Sequence, residues 1–219
     1  MKSFKQGNIE LINADCMDYM KTLPDNAFDL AIVDPPYGIG VNINMGRRKG
    51  QKHSGYHKYS GEDKFAPDIE YFEELKRVSK NQIIWGANHF IQNMGRNTNS
   101  PCWIMWDKGF SDEVTFAQFE LAWTSFGGTC KKFEKSPNDI HRIHPTQKPV
   151  KLYQWLLTKY AQNGESILDT HLGSGSSAIA AHYAGHKFVG IELDKDYYQA
   201  AIERFSRETS QVDMFGGAA

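Results

Sequence analysis

Residues 166 to 183 read Ser166-Ile167-Leu168-Asp169-Thr170-His171-Leu172-Gly173-Ser174-Gly175-Ser176-Ser177-Ala178-Ile179-Ala180-Ala181-His182-Tyr183. Ser166 to Asp169 is a short, mostly apolar run bounded by turn residues, the pattern of a buried strand. Ser176 to Tyr183 reads as a helix, with Gly185 just past its end. The turn between them holds Gly173 and Gly175, which with Ala178 fit G-x-G-x-x-G/A. Glu192 lies 19 residues past Gly173, at the end of the next strand, Lys187 to Leu193. An acidic residue about 20 positions on is where a ribose diol is commonly held. A dinucleotide would also set its pyrophosphate on the helix N-terminus. Here Asp169 directs a carboxylate into that same turn and repels such a group. The ammonium and sulfonium of S-adenosylmethionine suit the charge better than NAD does.

Working outward, short β runs alternate with helices. Strands are expected at Ile9 to Asn13, Phe28 to Val33, Gln82 to Trp85, Cys102 to Trp106 and Phe119 to Trp123. Helices are expected near Cys16 to Thr22 (stopped by Leu23-Pro24), at Pro67 to Ser79 and at Asp196 to Arg207. Another opens at Pro149, shows one apolar face at Tyr153, Leu156, Leu157 and Tyr160, and stops at Gly164. This alternation predicts a largely parallel sheet with helices on both faces, in which ligands sit beyond the carboxyl ends of strands.

Two further strand ends carry chemistry. Asp34-Pro35-Pro36-Tyr37-Gly38 follows Phe28 to Val33 directly. Two prolines remove two backbone donors and hold the chain extended. That leaves free carbonyls, a fixed Asp34 and a projecting Tyr37, a set able to accept two hydrogen bonds from an exocyclic amine while an aromatic face stacks on its ring. A rigid turn is the plainer alternative. Asn13-Ala14-Asp15-Cys16 ends the first strand, where Asp15 either meets an adenine amino group or caps the next helix.

The whole chain sets the bounds. Its 219 residues, 40% hydrophobic and 23% charged, predict an ordinary globular protein rather than a disordered or fibrous one. The apolar runs at Ala31 to Val33 and Ile104 to Trp106 fall far short of the ~20 residues that span a bilayer. The first residues lack the apolar core of a signal peptide. Cys16, Cys102 and Cys130 have neither metal-ligand nor disulfide spacing, which predicts no metal and reduced thiols in a cytoplasmic protein. A net charge of −1 conceals segregation: five basic residues and no acid lie between Val41 and Gly61. Six more stand against Glu134 and Asp139 between Lys131 and Lys151. Such segments are either solvated surface or the footprint of a polyanion.

DPPYG, the Asn13-Ala14-Asp15-Cys16 start, His144-Pro145-Thr146-Gln147-Lys148-Pro149 and the Asp169 to Ser177 turn together resemble the amino-methylating DNA methyltransferases. Their order resembles the permuted beta group of N6-adenine enzymes, over nearly the whole chain from Ile9 to Phe205. The resemblance implies a Rossmann-like, S-adenosylmethionine-dependent methyltransferase fold with a mostly parallel seven-stranded sheet. It implies that Asp34, Pro35, Pro36 and Tyr37 engage a flipped base. It implies a cofactor pocket lined by Asp15, Cys16, Thr146, Lys148, Asp169, His171, Gly173, Ser174, Gly175, Ser176 and Glu192. The family's usual loop is DPFxGSG, and Thr170-His171 departs from it. Asp34 tilts the target toward adenine N6; cytosine N4 is the near alternative, and a silent DNA-binding module the more distant one. Pro101-Cys102 resembles the pair of cytosine-C5 enzymes, but Cys102 opens an apolar strand and reads as buried.

A single domain is expected over residues 1–209. It carries a basic loop at 41–64, a short target-recognition segment at 126–144, and a flexible tail at 210–219. Arg47, Arg48, Lys49 and Lys52, with Lys131, Lys132, Lys135 and Arg142, are the expected contacts to double-stranded DNA, read with either brief or relaxed sequence specificity. Gln211-Val212-Asp213-Met214-Phe215 resembles peptides that bind the bacterial sliding clamp. A homodimer is a further expectation.

Overall fold

In a computed structural model, placement is described for residues 2–40, 65–96, 98–111, 113, 117–137, 139, 142–144 and 146–213, with side chains up to residue 210. The basic loop, with Arg47, Arg48, Lys49 and Lys52, lies outside the described residues, as does Pro145.

The strands are β1 (Lys2–Gln6), β2 (Ile9–Asn13), β3 (Phe28–Val33), β4 (Ser79–Trp85), β5 (Trp103–Asp107), β6 (Phe119–Thr124), β7 (Lys131–Glu134), β8 (Ser166–Asp169) and β9 (Lys187–Glu192). They form one sheet in the order β1-β2-β9-β8-β3-β4-β6-β5-β7. The helices are α1 (Cys16–Met20), α2 (Ile69–Val78), α3 (Ala87–Phe90), α4 (Val150–Tyr160), α5 (Ser176–Tyr183) and α6 (Lys195–Asp213). The expected mostly parallel sheet is present: β2, β9, β8, β3 and β4 run parallel to one another, while β6 is antiparallel to both β4 and β5.

The count is nine strands among the described residues, not seven. The two additional strands are the edges. β1 pairs antiparallel with β2, and β7 pairs parallel with β5 inside the segment expected to be a recognition loop. Each edge is short, polar and largely exposed, with one aromatic turned inward: Phe4 against Phe205, Phe133 against Trp155. Charged edges discourage pairing with other chains, and they also leave no apolar alternation to read. The last helix runs to Asp213, past the expected end at Arg207 and into the expected tail.

The β-sheet core is covered on both faces. Leu30, Ile32, Ile83 and Trp85 pack with Leu152, Leu156, Ile179 and Phe205 on one face. Ala31, Val33 and Ile84 pack with Tyr71, Phe72, Leu75 and Phe90 on the other. The strict alternation along β3 and β4 is what lets single strands feed both layers. Burying each of the Val, Leu, Ile and Phe side chains among them contributes about 1.5–3 kcal/mol. Among the described residues no helix is long and apolar enough to cross a membrane.

Candidate active site

Because β2, β9, β8, β3 and β4 are parallel, their carboxyl ends share one rim of the sheet. Antiparallel β6 begins at that rim, with Trp85 opposite Ala122, and β5 ends there, with Asp107 opposite Phe119. Five sequence-distant segments therefore meet: the Asp169 turn, the Asp34 segment, Gly86, Glu120 and Lys108.

The Asp169 turn is held from within. One Asp169 carboxylate oxygen accepts from the His171 amide at 3.0 Å and the other from the Ser177 hydroxyl at 2.6 Å. Burial pushes this carboxyl up to about 7, with the Ser177 and His171 hydrogen bonds opposing. Glu192 accepts from the Gly173 amide at 2.8 Å and from the Asp194 amide at 2.9 Å, tying the turn to the end of β9. Gly175 has φ 74° and caps α5, a left-handed conformation that glycine adopts without strain. Buried Arg204 donates to the Ser174 carbonyl and the Ser176 hydroxyl, both at 2.9 Å, and braces the turn from α6. Asp15 caps α1, accepting from the Met17 and Asp18 amides, so the plainer alternative applies to it in this conformation. Burial, with Asp15 adding to it, raises the Cys16 thiol to about 12, which leaves it neutral. Burial holds the His171 imidazole at about 4, and its ring packs edge-on to Tyr71.

The Asp34 segment is arranged around an ion cluster. Asp34 accepts from the Tyr37 hydroxyl at 2.7 Å through one oxygen and from the Lys148 ammonium at 2.5 Å through the other. Lys148 is 2% exposed at its side chain and also pairs with Glu120 at 2.9 Å; Glu120 in turn pairs with Lys108 at 2.7 Å. The chain of charges alternates in sign, from Lys108 through Glu120 and Lys148 to Asp34. Burial pushes Asp34 above its ordinary range, Lys148 opposes this, and Glu120 adds to it. Burial alone would raise Glu120, but Lys148 and Lys108 outweigh it and hold that carboxyl at about 2. Burial followed by the two carboxylates raises the Tyr37 phenol well above its ordinary value, so it is a hydrogen-bond donor.

Aromatic rings box the cluster. The Lys148 ammonium lies 5.3 Å from the Trp85 ring centre and 5.7 Å from that of Tyr37. Tyr37 stacks on His89 at 5.2 Å and 18°. Its ring fills the place where a side chain on Gly86 would sit: a Cβ there would lie 2.1 Å from Tyr37 Cε1.

The His144 to Lys148 segment joins the two halves. His144 packs edge-on to Tyr197 at 4.4 Å and accepts from Thr146, beside Gly173. Buried Gln147 fixes the segment, accepting from the Ile143 amide and donating to Asp139. Lys148 then reaches the Asp34 side. The expected cofactor-pocket residue Lys148 sets its ammonium on Asp34, Glu120 and Tyr37, where two half-buried carboxylates offset its desolvation. The projecting Tyr37 stacks on His89 and donates to Asp34.

Lys108, Glu120, Gly86 and His89 were missed. Lys108 and Glu120 stand as ordinary charged residues at the ends of the apolar runs Cys102 to Trp106 and Phe119 to Trp123, and they join the site because the sheet sets those ends on the same rim as the end of β3, across β4. Of the expected DNA contacts, Lys132 pairs with Asp107 and Glu134, Lys131 donates to Thr129, and Arg142 donates to the Pro137 carbonyl. Lys135 follows β7, and its amide donates to the Asp107 carbonyl. The Gln211 to Phe215 side chains lie outside those described.

A fold of this order, carrying an acidic strand end beside a Gly-rich turn, defines an α/β methyltransferase. Residues 84–203 match the model of the N6/N4 family described as DNA methylase, and the chain belongs to that family. It is 27% identical over 209 residues to YubD of Escherichia coli (strain K12), 89% of each chain. It is 24% identical over 244 residues to the type II methyltransferase M.HinfI of Haemophilus influenzae, covering 89% of this chain and 67% of that one. Among solved structures, the M1.HpyAVI–SAM complex aligns with a TM-score of 0.59 at 19% identity, over 90% of this chain and 98% of that one. The PvuII methyltransferase described as cytosine-N4-specific aligns with a TM-score of 0.60 at 12% identity, over 93% and 90%. These structural likenesses establish the fold.

Proposed function

We propose that the chain methylates the N6 amino group of adenine in double-stranded DNA, using S-adenosylmethionine. The observation that carries this is the placement of Asp34, in its aromatic box, on the strand beside the one that ends in the Asp169 turn. The donor set suits the cofactor. Asp169 and Glu192 offer anionic charge, the Gly173 to Gly175 backbone allows close approach, and Asp15, Cys16, Thr146, His171, Ser174 and Ser176 complete the wall. Bound there, S-adenosylmethionine supplies an electrophilic methyl group.

The chain's own residues prepare the amine. Adenine N6 has its lone pair conjugated with the ring and is a weak nucleophile. Hydrogen bonds from its two N–H groups to Asp34 and the Pro35 carbonyl favour a pyramidal nitrogen with the lone pair aimed away from the ring. Pro36 keeps the backbone extended. Rate then comes mainly from positioning, with no enzyme nucleophile. The base leaves the duplex at a cost of a few kcal/mol, partly offset by stacking beside Tyr37. The segment order, Asp34 to Tyr37 before His144 to Pro149 before the Asp169 turn, supports the beta group. Lys131, Lys135 and the basic loop at 41–64 are the proposed phosphate contacts.

The N4-cytosine reading shares all of this geometry. Asp34, in place of the serine of a Ser-Pro-Pro-Tyr segment, supports adenine. Incubation with unmethylated DNA and S-adenosylmethionine, then nucleoside mass spectrometry, tests it: N6-methyldeoxyadenosine is expected, and N4-methylcytosine alone would overturn the choice of base.

A further inference from the structure

Both Asp34 oxygens already hold a donor before any base arrives. One accepts from the Tyr37 hydroxyl and the other from the Lys148 ammonium, so an incoming amine must share the carboxylate with these two donors or displace one of them. The same two donors have a second acceptor in reach. Glu120 Oε2 lies 2.9 Å from the Lys148 ammonium and 3.3 Å from the Tyr37 hydroxyl. Its other oxygen is anchored on Lys108, so Glu120 cannot swing away.

We propose that Glu120 is a positioning residue that receives the Tyr37 hydroxyl and the Lys148 ammonium when the target amine claims Asp34. The exchange replaces the Tyr37–Asp34 bond and gives up the Lys148–Asp34 pair, while the Lys148–Glu120 pair at 2.9 Å is already in place. The Tyr37 hydroxyl turns from one carboxylate to the other, the ammonium keeps a carboxylate throughout, and Asp34 is freed to accept from the amine. Without Glu120, opening Asp34 would leave the half-buried Tyr37 hydroxyl without a carboxylate and strand the buried Lys148 cation, and a buried unpaired charge is costly. The inference rests on the reading of Asp34 as the amine acceptor. Asp34 and Glu120 are faced by Lys108, Lys148 and Tyr37, by His89 on the Tyr37 ring, and at longer range by Asp169 and Tyr153.

The test compares wild type with Glu120→Gln and Lys108→Gln. The readouts are single-turnover methyl transfer from tritiated S-adenosylmethionine to unmethylated DNA across pH, and carboxyl titration by 13C NMR of the unliganded, Asp-labelled protein, with Asp34→Asn locating the Asp34 signal. Glu120→Gln should slow transfer by about tenfold or more, the scale of a lost alignment, with cofactor affinity unchanged. It should also move the Asp34 titration, and the acidic limb of the rate profile, to lower pH, because a neighbouring negative charge is gone. Lys108→Gln should move both to higher pH, because the cation anchoring Glu120 is gone. The titration shifts report the charges beside Asp34, whereas slowed transfer at unchanged cofactor affinity, measured on the pH plateau above the acidic limb, reports the positioning role. If Glu120→Gln does not fold, the plateau transfer rate of Lys108→Gln decides alone: slowed transfer at unchanged cofactor affinity is expected, and a wild-type plateau rate overturns the inference. Unmoved titrations, shifts of the same sign, or a wild-type rate in Glu120→Gln overturn the inference. A wild type that methylates no nucleoside overturns the underlying reading instead, a result the NMR arm keeps separate.

Discussion

Replacing Lys148 with methionine removes a buried cation from between two carboxylates while keeping most of the side-chain volume. Breaking a buried ion pair by deleting one partner costs about 3–5 kcal/mol. Lys148 is 2% exposed, but Asp34 and Glu120 are 17% and 21% exposed, so water relieves part of the stranded charge. The lower end, about 3 kcal/mol, is therefore the appropriate figure, and Lys108 still faces Glu120. For a chain of this size each kcal/mol moves the melting temperature by about 2–4 °C, which predicts a loss of about 6–12 °C. The pH dependence fixes the cause. Burial already raises Asp34, and losing Lys148 raises it further. A carboxyl raised in the folded state contributes stability below its unfolded value that is lost as pH rises through its folded value. Lys148→Met should thus be most destabilised near pH 8, with the gap to wild type closing toward pH 5. Scanning calorimetry at pH 5, 6.5 and 8 reads this directly. A gap that is constant across pH, or that widens on acidification, would refute the electrostatic reasoning even if the loss has the right size.

Gly86→Ala would set a Cβ 2.1–2.5 Å from three Tyr37 ring atoms at a residue with φ 71°. It should destabilise by about 1–3 kcal/mol from the backbone alone, and displacing Tyr37 by about 1 Å should slow methyl transfer about 100-fold; rapid-quench rates and melting curves measure both. Binding of S-adenosylmethionine should weaken about tenfold per pH unit as pH falls below about 7, where Asp169 takes up a proton. His144 and His171, both held at about 4 chiefly by burial, stay neutral through that range. Calorimetric titration from pH 5.5 to 8 checks this, and Asp169→Asn should flatten the dependence. In DNA binding, Lys131→Gln and Lys135→Gln should each lower the salt slope by about 1. Lys132→Gln should lower it less, since Lys132 already pairs with Asp107 and Glu134. Equal effects of the three would contradict that distinction.

The central strands and the helices beside them were legible because burial on one or both faces writes periodicity into sequence. Ile9 to Asn13, Phe28 to Val33 and Ser166 to Asp169 are strands where expected, and the turn at Gly173 and Gly175 sits between strand and helix as its spacing required. The edges were not legible. Lys2–Gln6 and Lys131–Glu134 each bury only one aromatic, so nothing distinguishes them from polar loop. The site divides in the same way. Asp34 and Tyr37 announce themselves because two prolines and an acid after a buried strand are chemically unusual. Glu120 and Lys108 look like ordinary charged residues at strand ends. They become part of the site only through the antiparallel placement of β6 between β4 and β5, a tertiary fact with no local signature. Lys148 is the intermediate case: its segment was recognisable, but which half of the site its long side chain serves depends on where the carboxylates are buried.

The most direct test of the account is nucleoside mass spectrometry of unmethylated DNA after incubation with the protein and S-adenosylmethionine, with Asp34→Ala run in parallel. N6-methyldeoxyadenosine made by the wild type and absent with the variant is the predicted result. Methylation that survives in Asp34→Ala, or no methylated nucleoside from a wild type that binds the cofactor, would contradict the central claim that Asp34 presents the adenine amine for transfer.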